Sequence, residues 1–286
     1  MSYKALVIGL GQIGMGYDLN HDTDNYVLTH SRAFQQHSSY ELTAACDPDL
    51  EKQEIFEREY GCPAYSTVDE VLKNHKPDII AVAVPTKYHY STIRNIFNNS
   101  KPDAILCEKP LSYVLEEANS ILKLCVENNC KLYVNYMRQS DPGVVEIKKK
   151  ISIGEIQKPI KGVVWYSKGL VHNGSHFFNL LQSLLGDPVD YHIYNEGRLW
   201  DDFDPEPDFS VGFEQGTVSF LAAREEHFSH YTIELIAGNG RLQYEMGGNQ
   251  IRWQNAIPDP IYAGYSILDA RVEGINSYMD RYQYNV

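Results

Sequence analysis

The chain reads Gly9-Leu10-Gly11-Gln12-Ile13-Gly14 at the end of the apolar run Tyr3–Gly9, and this stretch decides the fold of its first half. Glycines spaced G-x-G-x-x-G between a strand and a helix permit a tight turn and let backbone N–H groups approach a pyrophosphate. We therefore predict that this glycine loop, Gly9 to Gly14, binds a dinucleotide. A glycine turn on an unrelated α/β protein is the alternative. Met15 stands where a nucleoside-triphosphate loop requires lysine, which excludes that loop.

Asp47 is the second mark of a dinucleotide site, because it ends the next apolar run, Glu41–Asp47. An acid at this place accepts hydrogen bonds from ribose hydroxyls and repels a 2′-phosphate, which favours NAD over NADP as the cofactor. The spacing from Gly14 to Asp47 is longer than the usual gap of about 20 residues. We attribute the excess to a polar insertion from Tyr17 to about Leu28.

The first half of the chain alternates short apolar runs with helical patterns, which indicates a parallel sheet covered on both faces. The predicted strands are Tyr3–Gly9, Glu41–Asp47, Ile79–Val84, Ala104–Glu108 and Leu132–Asn135. The predicted helices are Leu50–Tyr60, Val68–Asn74, His89–Asn98 and Tyr113–Asn128. This pattern predicts an α/β fold, a doubly wound Rossmann domain, over residues 1–134.

The second half, residues 135–286, begins with a lysine-rich helix, Val144–Ile153, and then changes to strands with partial alternation. Glycine turns such as Gly238-Asn239-Gly240 separate several of these strands, which is typical of hairpins. The predicted strands are Val189–Asn195, Ser210–Phe213, Thr217–Ala223, Thr232–Ile236, Arg241–Met246 and Gln250–Trp253. We predict an α+β domain with a mostly antiparallel sheet.

The charge balance restricts the partners, since 38 acidic residues against 25 basic ones give a net charge of −13. Nucleic acid and anionic membranes both require a basic face, so we exclude them as partners. No apolar run reaches the roughly 18 residues needed to span a membrane or resembles a signal peptide. The five cysteines form no Cys-x-x-Cys pair. We therefore predict a cytoplasmic protein without a disulfide framework.

Two classes of dehydrogenase lack their required residues. None of the 21 tyrosines has a lysine four residues later, as short-chain dehydrogenases need, and the scattered cysteines do not supply zinc ligands. Lys109 instead follows the strand Ala104–Glu108, at the sheet edge where ligands of doubly wound folds bind. Burial beside a cationic nicotinamide would make its ammonium a useful acid–base group. A surface lysine before Pro110 is the alternative.

Several further motifs occur in a fixed order after the glycine loop and Asp47. They are Val84-Pro85-Thr86-Lys87-Tyr88-His89, Glu108-Lys109-Pro110, Asn135-Tyr136-Met137-Arg138 and His172-Asn173-Gly174-Ser175-His176-Phe177-Phe178-Asn179. Over nearly the whole chain, this set resembles the glucose–fructose oxidoreductase/inositol dehydrogenase/MocA-like family. The resemblance implies a Rossmann domain followed by a substrate-binding and oligomerisation domain with an open-faced sheet. It also implies NAD contacts beyond the loop and Asp47, at Pro85, Thr86, His89, Glu108, Lys109 and Asn135.

By this resemblance, Lys109 contacts both the nicotinamide ribose and the substrate hydroxyl. His176 is then the acid–base group that takes the proton while hydride leaves the neighbouring carbon. Two positions depart from the family pattern, because His172 and Asn179 stand where relatives usually have aspartates. These departures leave open whether the protein has a specific polyol or inositol activity. They also leave open whether its catalysis is reduced or lost.

Four residues are predicted to bind substrate: His172, Arg138, Tyr166 and Asn179. Arg138 could bind a phosphate or carboxylate, or pair with the acidic surface instead. Tyr166 lies on the strand leading into the histidine segment, where it could line a pocket or simply pack. His172 and His176 have the spacing of helical metal ligands, but Gly174 between them and the lack of a nearby third ligand argue against a metal site. A packing or helix-capping role is the other alternative for each histidine.

Two residue groups in the second half receive predictions of their own. The acidic residues between 201 and 208 are interleaved with two prolines and predict a solvated loop, with ion binding by the carboxylates as the alternative: Asp201, Asp202, Asp204, Glu206 and Asp208. Protein interfaces are enriched in aromatic residues, and five aromatic residues of the second half predict a homodimer or homotetramer that forms through the second sheet. They are Tyr231, Tyr244, Trp253, Tyr262 and Tyr265. Packing against the first domain is the alternative.

The sequence therefore predicts an NAD-dependent oxidoreductase acting on a small sugar, sugar derivative or nucleotide-sugar, with NADP the less favoured cofactor. A cofactor-binding regulatory or accessory protein with reduced catalysis is the main competing hypothesis. A lyase or hydrolase that uses bound NAD transiently is the third.

Overall fold

The computed structural model describes residues 2–286, which form two compact units. The chain passes from the first unit to the second after Asn135, and Asp280–Val286 returns to the first unit. The sequence pattern carries no sign of this return, because the returning segment has no apolar periodicity. The fold class is confirmed: a parallel Rossmann sheet is followed by a mixed, mostly antiparallel sheet.

The first unit is built on six parallel strands in the order β3-β2-β1-β4-β5-β6. This order reverses direction at β1, which places ligands at the carboxyl ends of the central strands. The strands are β1 (Tyr3–Ile8), β2 (Tyr40–Cys46), β3 (Ala64–Tyr65), β4 (Ile79–Val82), β5 (Ala104–Cys107) and β6 (Lys131–Val134). Only β3 is absent from the predicted strands, because its two residues are too few to show a pattern.

Five helices cover the two faces of this sheet: α1 (His30–Gln36), α2 (Leu50–Tyr60), α3 (Val68–Asn74), α4 (His89–Asn99) and α5 (Leu115–Glu127). Their ends have local causes. The Asp49 side chain caps α2 by accepting from the N–H groups of Glu51 and Lys52, and Thr67 caps α3 in the same way. Gly61 ends α2 in the left-handed conformation.

The polar insertion interrupts the helix that follows the glycine loop. A helical turn begins after Gly11 and is interrupted by the insertion at Tyr17. Helix α1 continues the same helical turn after the insertion, because His30 N donates to Ile13 O and Ser31 N donates to Gly14 O. The insertion is organised by a buried carboxylate, Asp18. Its oxygens accept from Leu28 N and from the Thr29 hydroxyl at 2.6 Å, and Arg32 Nη1 lies 3.5 Å away. We call these contacts the Asp18 knot.

The second unit contains nine strands. Strand β7 lies in the middle of the sheet, where it pairs with β10 in parallel and with β11 antiparallel. They are β7 (Ile160–Tyr166), β8 (Pro188–Trp200), β9 (Asp204–Phe213), β10 (Gly216–Ala222), β11 (Tyr231–Ala237), β12 (Gly240–Glu245), β13 (Gln250–Pro258), β14 (Ser266–Leu268) and β15 (Glu273–Ile275). Helices α6 (Pro142–Ser152) and α7 (Ser175–Leu185) pack their apolar residues on one face of the sheet. Trp165 and Ile236 on β7 and β11 remain exposed.

One prediction about this unit is wrong, and another loses part of its support. The acidic segment is not a solvated loop: only Asp201 and Asp202 lie in a turn, whereas Asp204 and Glu206 are buried in β9 with 1% and 3% of their surface exposed. Backbone and guanidinium donors satisfy both buried carboxylates. Of the five aromatic residues predicted to form an interface, Tyr244 and Trp253 belong to the core of the unit. Oligomerisation through this sheet therefore remains a prediction, and Tyr244 and Trp253 do not support it.

None of the helices formed by residues 2–286 is both long and apolar enough to cross a lipid bilayer.

The Asp18 knot yields a prediction about stability. In Asp18→Asn the Arg32 guanidinium loses its buried counter-charge, so we expect the free energy of unfolding to fall by about 3 kcal/mol. Urea unfolding of the two proteins measures the change. Asp24→Asn, the same substitution at an exposed position of the insertion, should leave stability within about 0.5 kcal/mol of the native value. Equal effects of the two substitutions would contradict the knot.

Candidate functional site

Each glycine of the loop after β1 meets a different steric limit. Gly9 has φ +100°, and a Cβ there would lie 2.6 Å from the Ala83 carbonyl carbon. A Cβ on Gly14 would lie 1.9 Å from Gly9 O, whereas a Cβ on Gly11 would have no protein atom within 4 Å. Gly9 and Gly14 are therefore required by the fold itself. Gly11 keeps open a space beside the backbone, which is the approach that a pyrophosphate needs.

Asp47 follows β2 and faces the glycine loop. Its Oδ2 accepts from Leu10 N at 2.7 Å and its Oδ1 from Asp49 N at 3.0 Å, and 7% of its surface is exposed. Lys52 Nζ lies 3.9 Å from Oδ1. The carboxylate thus ties the end of β2 to the loop while its acceptor oxygens stay at the sheet edge predicted to bind the cofactor.

Glu108 and Lys109 follow β5 directly, as predicted. Glu108 Oε1 accepts from Asn135 Nδ2 at 2.6 Å and lies 2.8 Å from His30 Nε2. Burial would raise the pKa of Glu108, but the hydrogen bond and the electrostatic interaction with His30, the hydrogen bond from Asn135 and the charge of Lys109 hold it below its usual value. Glu108 is therefore a carboxylate beside Lys109.

Asn135 lies beside Glu108, and one of its acceptors has no partner among the described residues. Its Nδ2 donates to Glu108 and, at 3.1 Å, to Gln283 Oε1. Its Oδ1 is buried, and no hydrogen-bond donor among residues 2–286 reaches it. A buried acceptor of this kind is usually satisfied by a ligand or by water. His30 and Gln283, which complete this cluster, were not predicted, and Gln283 carries no motif that could have identified it.

The predicted cofactor contacts of the turn after β4 divide into two groups. Pro85 and Thr86 are not buried, and Thr86 begins a single 3₁₀ turn. His89 is 1% exposed, and its ring nitrogens lie 3.0 Å from Val84 O and 3.1 Å from Leu111 O. Burial lowers the pKa of His89, although these carbonyls oppose the change. Because both nitrogens are engaged, His89 holds the two loops together and the prediction of a direct cofactor contact is not supported.

His172 and His176 lie on consecutive helical turns of the second unit. His172 belongs to a π-helical segment, Gly169–Gly174, and its ring lies 5.0 Å from that of Trp200. His176 is in the first turn of α7, is 5% exposed and meets the Tyr136 ring edge-on at 5.6 Å. Among the residues that the structure describes, no three potential ligand side chains are grouped as a metal site.

Asp204 holds the π-helical segment in place. Its Oδ1 accepts from Val171 N at 2.9 Å and its Oδ2 from His172 N at 2.7 Å. Gly169 has φ +74°, and a Cβ there would lie 2.2 Å from Oδ2. Burial raises the pKa of Asp204 even though these backbone N–H groups lower it. The carboxylate that supports the histidine segment thus comes from β9, which composition alone had indicated to be a loop.

The other predicted substrate residues differ in what they offer. Tyr166 has no exposed surface and donates to Pro207 O at 2.6 Å, so it is a core residue and not part of a pocket wall. Arg138 is 8% exposed with its guanidinium 5.5 Å from the Tyr231 ring. Its Nε and Nη1, like Oδ1 of Asn179, are buried and have no hydrogen-bond partner in the described part of the chain. Arg138 is therefore able to bind an anionic group.

The comparisons with known proteins agree with this geometry. Residues 3–136 match the Gfo/Idh/MocA family, described as an oxidoreductase family with an NAD-binding Rossmann fold. The Rossmann domain of the chain therefore matches that family, and the resemblance stated from the motifs is confirmed. Among the curated proteins, no sequence matches the chain.

Solved structures share the fold over both units, at sequence identities that establish the fold alone. An oxidoreductase from Agrobacterium radiobacter, in complex with NAD+, L-tartaric acid and magnesium, has a TM-score of 0.74 at 13% identity; the match covers 100% of this chain and 86% of that one. The WlbA dehydrogenase from Bordetella pertussis, with NADH and UDP-GlcNAcA, has a TM-score of 0.68 at 17% identity, covering 91% and 79%. The dehydrogenase MviM from Clostridium difficile has 0.72 at 14%, covering 100% and 88%.

The loop geometry separates two alanine substitutions. Gly14→Ala places a methyl group against Gly9 O, so we expect a loss of stability of at least about 2 kcal/mol in urea unfolding. Gly11→Ala meets no protein atom, so stability should stay within about 1 kcal/mol of native. NADH affinity, followed by tryptophan quenching, should nevertheless fall at least about tenfold in Gly11→Ala. Normal NADH binding by Gly11→Ala would contradict the assignment of the pyrophosphate site.

Proposed function

We propose that this protein, whose Rossmann domain matches the Gfo/Idh/MocA oxidoreductases, transfers hydride between NAD and a hydroxyl or keto carbon of a sugar, sugar derivative or nucleotide-sugar. One observation carries the proposal: the glycine loop leaves open space at Gly11 while Asp47 anchors the same loop through Leu10 N at 2.7 Å. This is the arrangement by which a Rossmann domain presents backbone N–H groups to a pyrophosphate and a carboxylate to the adjoining ribose.

The choice of NAD over NADP rests on the charge near the ribose. Asp47 presents a buried carboxylate, and Asp49 stands two residues later at the start of α2. A 2′-phosphate would be repelled by both, and Lys52, whose Nζ lies between 3.7 and 3.9 Å from the two carboxylates, is already engaged by them. Two of the relatives compared above were solved with NAD+ and with NADH, respectively.

The chemical step requires one group to manage a proton while hydride moves. NAD accepts or supplies the hydride when it is bound. We assign the proton to His176, which α7 presents in its first turn and which Tyr136 packs against edge-on. Lys109, beside the Glu108 carboxylate, is assigned to the substrate hydroxyl, whose developing charge an ammonium stabilises.

The substrate class follows from Arg138. A buried guanidinium with two atoms lacking acceptors is suited to a carboxylate or phosphate, because charged hydrogen bonds of this kind are strong and directional. The relatives with a bound substrate-like molecule hold L-tartaric acid and UDP-GlcNAcA. We therefore propose that the sugar-type substrate carries an acidic group.

A cofactor-binding regulatory protein remains the second candidate, and one observation favours it. The His172 ring lies tilted against Trp200, with 5.0 Å between the ring centroids, where the family pattern has a carboxylate. Cofactor binding without turnover of any polyol, sugar acid or nucleotide-sugar, followed by NADH absorbance, would select this candidate.

Cofactor choice is tested at Asp47. In Asp47→Ala the repulsion of a 2′-phosphate is lost, so we expect the NADP-to-NAD affinity ratio to rise about tenfold or more. Fluorescence titrations with both cofactors measure the ratio. Asp24→Ala, an exposed site in the insertion, serves as the control and should leave it unchanged. An unaltered ratio in Asp47→Ala would refute the role of this carboxylate.

Proton handling is tested at Lys109 and His176. Lys109→Met and His176→Gln should each lower kcat by about 100-fold or more, with NADH affinity changed much less in His176→Gln, because general acid–base groups contribute at this level. His192→Gln, at an exposed position of β8, is the matched control and should retain full activity. Turnover of the identified substrate at the native rate by His176→Gln would rule out the assignment.

A further inference from the structure

Four side chains of the second unit meet outside its apolar core: Lys168, His172, Trp200 and Glu225. The Trp200 indole lies tilted against the His172 imidazole, with 5.0 Å between the ring centroids. Its Nε1 donates to Glu225 Oε1 at 3.0 Å, and Lys168 Nζ lies 3.3 Å from Glu225 Oε2. We call these four residues the Trp200 cluster. His176, to which the proton step is assigned, follows His172 by one helical turn.

The hairpin of β8 and β9 positions both rings of the Trp200 cluster. Trp200 is paired with Asp204 across the hairpin, and Asp204 Oδ2 accepts from His172 N at 2.7 Å. The turn that joins the two strands holds Asp201 and Asp202 in the left-handed region, at φ +49° and +63°. One strand pair and one carboxylate therefore fix the indole and the imidazole relative to each other.

Lys168 retains a side chain where the backbone favours glycine. Its φ is +67°, in the left-handed region that is disfavoured for residues with a Cβ. Gly169, which follows with φ +74°, has a steric reason to be glycine, because a Cβ there would meet Asp204. At Lys168 the side chain is kept, and its ammonium reaches Glu225. Residues held in such conformations concentrate at ligand sites, so the strain at Lys168 is a second sign of a binding site.

The Trp200 cluster is open enough to contact a ligand. The side chains of Lys168 and Glu225 are 35% and 30% exposed, and His172 and Trp200 are half-buried. A carboxylate has about four lone-pair sites, of which the indole N–H and the ammonium engage two. The others can accept from hydroxyl groups, and the indole adds a flat apolar surface beside them. This combination matches a sugar ring, which has an apolar C–H face and hydroxyl groups at its edge.

The charge of Glu225 favours a sugar ring over a nucleobase. A uracil ring also stacks on an indole, but its N–H donor is flanked by two carbonyl oxygens, which a carboxylate repels. Sugar hydroxyl groups donate to a carboxylate without this conflict. The acidic group that we assign to Arg138 is repelled by Glu225 as well, so the two residues contact different parts of the substrate.

We infer that Trp200 and Glu225 recognise the substrate: the indole supports the C–H face of a sugar ring, and the carboxylate, oriented by Lys168 and the indole N–H, accepts hydrogen bonds from its hydroxyl groups. His172, which stands where relatives usually have aspartate, supplies the ring against which the indole packs. The inference rests on the proposed function, because it takes the substrate to be a sugar-type molecule.

The first test measures the binding of hexuronic acids, which combine a sugar ring with the acidic group proposed above. The probes are D-glucuronic, D-galacturonic and D-mannuronic acid, titrated by NMR in the presence of saturating NADH. For the acid that the native protein binds most tightly, Trp200→Leu should raise the Kd about tenfold, because the flat support of the ring is lost. Trp200→Phe restores a ring without the N–H donor and should bring the Kd to within about threefold of the native value.

Two comparisons make the result at Trp200 specific. Trp165→Leu, the same substitution at an exposed tryptophan of β7, is the matched control and should leave the Kd unchanged. UDP presents a uracil and no hexose ring, so Trp200→Leu should change its Kd by less than about twofold. Weaker UDP binding in Trp200→Leu would make the indole a platform for a base and would overturn the inference.

The second test removes the acceptor charge at Glu225. Glu225→Gln keeps the size of the side chain, and we expect the Kd for the same hexuronic acid to rise about tenfold, equivalent to one hydrogen bond to a charged group. A carboxylate that only repelled the acid would give the opposite sign, so tighter or unchanged binding in Glu225→Gln contradicts the assignment. Glu234→Gln, at a position of β11 that pairs with Arg241, is the control and should bind as the native protein does.

The outcomes separate this inference from the proposed function. A protein that binds no NADH overturns the proposed function, and the same titrations without cofactor then still decide whether Trp200 and Glu225 hold a sugar ring. Native protein that binds NADH but none of the three acids, or equally tight binding after Trp200→Leu, overturns ring recognition alone. If circular dichroism shows that Trp200→Leu does not fold, the nearly isosteric Glu225→Gln decides.

Discussion

The first unit depends on one close approach, in which Gly14 lies against the carbonyl oxygen of Gly9 at a distance that no Cβ permits. This contact closes the turn after β1. The oxygens of Ile13 and Gly14 then accept from His30 and Ser31, which lets the helix resume after the insertion. Everything that the insertion organises is positioned relative to this turn.

The features predicted from sequence are those whose causes are local. The alternation of apolar runs and helical patterns identified five of the six Rossmann strands, and the glycine loop and Asp47 could be named because each has a steric or electrostatic reason at its own position. The same reasoning failed where a partner lies far along the chain. In the sequence, Asp204 and Glu206 resemble loop residues. In the structure, backbone N–H groups around Gly169 donate hydrogen bonds to both carboxylates. His89 has the sequence position of a ligand-binding residue, but its two ring nitrogens contact backbone carbonyl oxygens.

The insertion shows why its role was not predictable. Its composition is that of a solvated loop, and yet its centre is a carboxylate with no exposed surface. A buried charge is tolerated only when it is paired and hydrogen-bonded, and Arg32 with the Thr29 hydroxyl meets this condition. The backbone groups of Val27 in the insertion pair with Asp280 and Gln283, which belong to the 3₁₀-helical segment Met279–Tyr284. Pairing of backbone groups has no side-chain signature, so neither this contact nor Gln283 could be identified from sequence.

Both units leave buried polar groups without a partner, and this is informative about function. In the first, the Glu108 carboxylate accepts from Asn135 Nδ2, while Asn135 Oδ1 has no donor among residues 2–286. In the second, two nitrogens of the Arg138 guanidinium are left without acceptors. Each unsatisfied buried group costs about 1–3 kcal/mol of stability. Folding alone gives no reason to keep them, whereas a donor bound at Asn135, or an anion bound at Arg138, would recover that free energy within its own unit.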